Sequence, residues 1–243
     1  MPETPATVRA GPLSAMLVDG DLRYVRHQGR EVIRRVYGAV RGRNWGTVPG
    51  RRRLLEQRVD RNSFLIRYRS EHLQGPIHFE WEGELRGDPA GVITVTFEGR
   101  ALTRFLRNRI GLCVLHPAAC AGLPCGVLRR NGSRAELHFP SLVEPAQPVP
   151  GIRDLALFAH RSGPDGWTVV EYAGEHFEME DQRNWIDASF KTYGTPLHLP
   201  FPVEIPAGTG VRQRVRLYLA RARTFVEVQG PPDLASPSPE TEA

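Results

Sequence analysis

The stretch Glu178 to Pro196, EMEDQRNWIDASFKTYGTP, gathers acids, an amide, an indole and an amine between two apolar, strand-like runs. Glu178 and Glu180 alternate with Phe177 and Met179, so a strand here sets both carboxylates on one face, about 7 Å apart. Two carboxylates at that spacing can ligate a cation or share general acid and base work, if their surroundings separate their proton affinities. After Asp181 the alternation breaks into QRNWIDAS, an excursion over the sheet. There Trp185 can offer its face to a sugar ring, while Arg183, Asn184 and Asp187 supply partners for hydroxyls or a carboxylate. The competing reading is a network of ion pairs that pins the loop down. Lys191 is the only lysine among 32 Lys and Arg residues. Either it marks a position that needs a compact ammonium rather than a planar guanidinium, or it is a drifted surface residue.

A second cluster, Arg43, Asn44 and Trp45 in RGRNWGT, repeats the order of Arg183, Asn184 and Trp185. Gly42 and Gly46 permit a tight bend around it. Trp45 reads as a core plug or as a second wall of the same cleft. Cys113, His116, Cys120 and Cys125 form C-x2-H-x3-C-x4-C, which has the ligand types of a structural zinc site. The spacing fits no standard finger and Cys113 sits in the apolar run Ile110 to Leu115, so inert buried thiols are the favoured reading and no metal or cofactor is expected. Three cysteines also argue against a disulfide framework. Ring-opening chemistry needs one proton given and one taken, so an active site here would pair a histidine (His116, His72 or His176) with Glu178 or Glu180.

The elements that must position these residues are strands. Ile77 to Leu85 and Ile93 to Glu98 alternate apolar and polar residues on either side of the turn-rich GDPAG, which predicts a hairpin with one buried and one wet face. Val211, Gln213, Val215, Leu217 and Leu219 alternate in the same way. Further strands are expected at 22–27, 32–40, 64–69, 110–115, 155–159, 167–172 and 224–228. Helical spacing is confined to a turn or two near Leu102, Phe105, Leu106 and Arg109. The expectation is an all-β chain: a flexible 1–14, one large two-sheet antiparallel β-sandwich over 15–228, and a disordered tail over 229–243.

A net charge of +5 invites a nucleic-acid reading, but the arginines are scattered along strands and loops, so no nucleic-acid partner is expected. No apolar run reaches the ~20 residues of a membrane span, and the N-terminus lacks a signal pattern, so a cytoplasmic protein without a membrane partner is expected.

In RGRNWGTV (41–48), FLRNRIGLCVLHP (105–117) and above all FEMEDQRNWIDASFKTYGTPLHLPFP (177–202), the chain resembles the N-terminal β domain of the bacterial D-apionate lactonase family. The resemblance covers roughly 15–225. It implies a sandwich of the galactose-mutarotase kind, which in that family precedes a TIM barrel and serves the opening of a sugar-acid lactone. The family's catalytic acids would lie in the barrel, so the resemblance transfers no catalytic residue. A polar tail stands where that barrel would begin. The chain is therefore expected to be an accessory domain with a carbohydrate or sugar-acid ligand, or half of a split enzyme with a separate TIM-barrel chain as partner. The alternative is a mutarotase-like epimerase or small lactonase working through the His/carboxylate pair.

Overall fold

Period-two alternation becomes strand along nearly the whole chain in the computed structural model, which describes residues 5–164, 166–185 and 188–228. The strands are β1 (Ala6–Ala10), β2 (Leu13–Val18), β3 (Asp21–His27), β4 (Arg30–Gly42), β5 (Gly50–Val59) and β6 (Phe64–Gln74). They continue with β7 (Ile77–Gly87), β8 (Ile93–Ala101), β9 (Phe105–Pro117), β10 (Pro124–Arg129), β11 (Arg134–His138) and β12 (Arg153–Arg161). The last are β13 (Gly166–Ala173), β14 (Phe177–Asp181), β15 (Ser189–Gly194), β16 (Val203–Ile205) and β17 (Gly210–Arg221). Among the described residues, helix is limited to single 3₁₀ turns at Ala118–Cys120 and Phe225–Glu227, and none is long and apolar enough to cross a membrane.

Every pairing is antiparallel, and the strands form one continuous hydrogen-bonded network. β1 to β4 form a meander, after which β4 pairs with β9 rather than with β5. From β9 the ladder passes to β15, β14 and β12. β12 also pairs with β10 and β13, and β13 leads through β17 to β8, β7, β6 and β5. The sheet thus doubles back into two facing layers. At Gly38 of β4, a Cβ would lie 2.6 Å from the Trp81 ring of β7, so the layers approach as closely as they do because that position has no side chain. Trp81 stacks on Phe97 at 4.3 Å between centroids, and both belong to the main core. The expected hairpin is β7–β8, with Phe79, Trp81 and Leu85 buried on its inner face. Its outer-face glutamates pair with arginines of the flanking strands β6 and β17, as in Arg69–Glu82 at 2.6 Å and Arg212–Glu98 at 3.1 Å.

One side of β9 is served by two strands that do not meet: β15 pairs with 113–117 and β16 with 105–107. Gln213 of β17 fills the gap. It accepts from Leu112 N–H at 2.7 Å and donates to Ile110 C=O at 3.3 Å, supplying partners that a strand would otherwise provide.

Three expectations fail. The stretch 1–14 is not uniformly flexible, because Val8, Ala10 and Leu13 bury apolar side chains and order β1 against β2. Phe105 to Arg109 is strand, not helix: residues 105–107 pair with β16, Arg107 also pairs with Gly42 of β4, and Phe105 enters the core. Thr224 to Val228 folds as a capped 3₁₀ turn: Glu227 accepts from the Arg223 and Thr224 amides, and Phe225 plugs a small second core. The stretch 229–243, read as a disordered tail, lies outside the described residues.

Candidate functional site

The ladder places outward side chains of four strands on one surface. Along one row, Tyr37 of β4 faces Cys113 of β9, which faces Tyr193 of β15, which faces Glu178 of β14. In the next row Leu115 faces Lys191, which faces Glu180. This surface floors a cleft of about 590 Å³ lined by residues including Arg41, Arg109, Cys113, Gln182, Lys191 and Tyr193. Its walls come from two loops. Trp45 is 40% exposed and Trp185 is 56% exposed, and both line the cleft.

Trp45 sits in a left-handed backbone conformation (φ 64°) inside a tight bend, where its N–H donates to Gly42 C=O at 3.1 Å. A bulky residue in that region costs about 1–3 kcal/mol, so the bend is held against its own preference and presents the indole outward. Trp45 meets Phe201 edge to face at 5.2 Å. The Arg109 guanidinium lies within about 5 Å of both rings.

The acids are engaged unequally. Glu180 Oε2 pairs with Lys191 Nζ at 2.9 Å and accepts from Gln182 Nε2 at 2.8 Å. Glu178 accepts from the Tyr193 hydroxyl at 2.7 Å and from Leu197 N–H at 2.6 Å, which anchors the chain after β15. Burial, then the carboxylates of Glu180 and Glu178, push the Tyr193 hydroxyl far above its ordinary range, so it stays protonated as a donor. Burial also raises the Cys113 thiol, against the pull of Lys191 and Arg41, which leaves a thiol rather than a nucleophilic thiolate on the floor.

The remaining expected residues divide between roles. Arg183 is a fastener: it grips Asp181 through Nε at 2.9 Å and Nη2 at 2.7 Å and donates to the Ser141 and Leu142 carbonyls. Burial raises the Asp181 carboxyl, but the Arg183 and Glu144 hydrogen bonds outweigh it and hold the carboxyl low. Asn184 is exposed beside Trp185, and Asp187 lies outside the described residues. Arg43 and Asn44 turn away from Trp45 and line a different recess of about 600 Å³.

His116 is not a cleft residue. It occupies the opposite face of β9, fully buried against Phe139, Phe158 and His160. His72 is tied up in the core by Val48 C=O, Ser70 and Trp81, and His176 pairs with Asp154. No histidine therefore faces a carboxylate across the cleft among the described residues. The four-residue zinc reading fails for the same reason. Cys113 points to the cleft while Cys120, Cys125 and His116 are in the interior, and no metal-competent group of three is present among the described residues.

Arg109, Tyr193 and Gln182 were not singled out in the sequence. For Arg109 the signal was its place as a charged residue immediately before the apolar run Ile110 to Leu115.

The doubled antiparallel sheet has counterparts of the same fold among solved structures. Galactose 1-epimerase from Lactobacillus acidophilus superposes with a TM-score of 0.57 at 7% identity, over 90% of this chain and 94% of that one. The GalM/aldose epimerase homologue from C. elegans gives 0.55 at 7% identity, over 90% of this chain and 100% of that one. Likeness at such identity is one of fold alone.

Sequence gives the family. The chain belongs to the D-apionate lactonase N-terminal domain family, whose model matches residues 1–222. The D-apionate lactonase of Brucella anthropi is 35% identical over 222 residues, which are 90% of this chain and 36% of that protein. The chain thus spans about a third of the length of this curated relative.

Proposed function

We propose that the cleft binds a carbohydrate, a sugar acid or its lactone, and that this β domain serves lactone metabolism by binding rather than by bond cleavage. The observation that carries the reading is the pairing of Trp45 and Trp185 as exposed walls over one floor, largely apolar, where Lys191, Glu180 and Gln182 offer donors and acceptors. Indole faces cover the apolar faces of a sugar while the polar groups fix its hydroxyls. Against catalysis by this domain stand the engagement of Glu178 and Glu180 by neighbours and the placement of His116 on the far side of β9. Calorimetric titration with D-apionate and D-gluconate tests the proposal: binding that is lost in Trp45→Ala and Trp185→Ala supports it, and binding unaffected by both substitutions refutes it.

A docking role for the same face has its own observation. Leu142 is 86% exposed, Val143 44% and Phe201 42%, and these apolar residues stand on the loops that border the cleft. Such a rim suits a further domain of a lactonase-type protein. Co-purification with the part of the Brucella anthropi lactonase outside the matched region, lost on Leu142→Ser with Phe201→Ser, is the expected result. Equal recovery with the variant excludes docking through this rim.

A further inference from the structure

The cations around the cleft differ in what they already hold. Lys191 is paired with Glu180 and Arg183 with Asp181. Arg109 is only 5% exposed and lines the cleft, yet it contacts no carboxylate among the described residues. Its Nη1 donates to the Asn108 carbonyl and side-chain oxygens, both at 3.1 Å, and its Nη2 donates to Pro196 C=O at 3.0 Å. Its Nε is buried without a hydrogen-bond partner, and Nη2 has a second N–H beyond the one given to Pro196. These contacts fix the plane of the guanidinium without pairing it with a carboxylate, beside the touching rings of Trp45 and Phe201. Glu178 and Glu180 attract it through space but make their contacts elsewhere, Glu180 with Lys191 and Gln182 and Glu178 with Tyr193 and Leu197. A buried cation that faces a cleft with a donor to spare is an incomplete ion pair.

We propose that Arg109 is the specificity-determining residue of the cleft and selects ligands that carry a carboxylate, so that the open sugar acid is bound in preference to a neutral sugar. The proposal rests on the carbohydrate reading of the cleft and adds the charge of the ligand to it. Trp45 covers the guanidinium on one side, which keeps water away and strengthens a charge-assisted hydrogen bond to an incoming carboxylate. The matching neutral sugar leaves the same cation without a partner.

D-Gluconate and D-glucose, titrated separately into the purified protein, read the effect directly. Gluconate is expected to bind about tenfold or more tightly than glucose, the gain of one charge-assisted hydrogen bond, with the difference shrinking as salt rises. Arg109→Gln is expected to bind the two alike, and Arg109→Lys to keep part of the preference. Equal affinity for both sugars in the wild type overturns the proposal and leaves the carbohydrate reading intact, as does a preference that survives Arg109→Gln. If neither sugar binds, the carbohydrate reading and the selection by Arg109 fall together. The wild-type comparison decides the matter even if the Arg109 variants do not fold.

Discussion

Glu180 and Lys191 stand directly opposite each other on β14 and β15, and their side chains close a 2.9 Å ion pair with both residues less than a tenth exposed. Buried pairs of this kind are stabilising only as pairs, because either member alone is left as a charge out of water. Lys191→Met and Glu180→Gln should each lower unfolding stability by about 3 kcal/mol, and the double variant should lose less than the sum of the two. Urea denaturation of the four proteins measures this, and strict additivity would show that the pair is not energetically coupled.

The histidine pair behind the sheet predicts a pH dependence. Burial holds His160 down to about 4, and burial with the neighbouring His160 holds His116 well below its ordinary range. Both depressed values mean that the native state refuses protons which the unfolded chain accepts from about pH 6.5 downward. Stability is therefore complete above pH 6.5 and falls as the pH drops toward 4, by about 2 kcal/mol at pH 5 from His160 alone. Urea midpoints at pH 7 and pH 5 should show the loss. His116→Phe, which keeps a ring against Phe139 and Phe158, should flatten the slope. Identical slopes in variant and wild type would remove His116 from the account.

Gly111 has a backbone φ of 141° and a Cβ built on it collides with the Gln213 amide. Gly111→Ala should consequently cost about 3 kcal/mol or more, from backbone strain together with the displaced hydrogen bonds. Gln213→Leu should cost about 2 kcal/mol, since the Leu112 N–H and Ile110 C=O lose their partner in the gap between β15 and β16. Amide exchange at Leu112 is the specific readout. An unchanged rate in Gln213→Leu would mean that some other group satisfies that N–H.

Much of this scaffold is legible from period two alone, because most strands bury one face and wet the other, as Phe79, Trp81 and Leu85 do. Legibility ends where both faces are covered. In β9, Ile110, Leu112 and Val114 enter the core while Cys113 lines the cleft and Leu115 stands opposite Lys191, so every position from 110 to 115 is apolar or Gly and alternation cannot say which way the neighbouring His116 points. The acidic segment shows the same limit from the other side. Its strand placed Glu178 and Glu180 together on one face, but only the register against β15 shows that Tyr193 occupies the first and Lys191 the second. Gln213 looked like one more inward position in an alternating strand; its work depends on a pairing gap that no local pattern encodes.

Lys191 offers the most direct test of cleft occupancy, because it is the only lysine and it lines the cleft. At 8% exposure and paired with Glu180, it should react slowly with an amine-acylating reagent, while the α-amino group of the same molecule serves as an internal standard. Saturating D-gluconate should slow acylation of Lys191 by about fivefold or more, as expected for a ligand that covers the floor for most of the time, and leave the α-amino rate unchanged. Trp185→Ala should abolish the protection without altering the rate in the absence of ligand. Peptide mass spectrometry gives both rates in one experiment. Gluconate that binds by calorimetry but leaves Lys191 equally reactive must sit elsewhere on the protein, and the cleft would then lose its claim to the sugar.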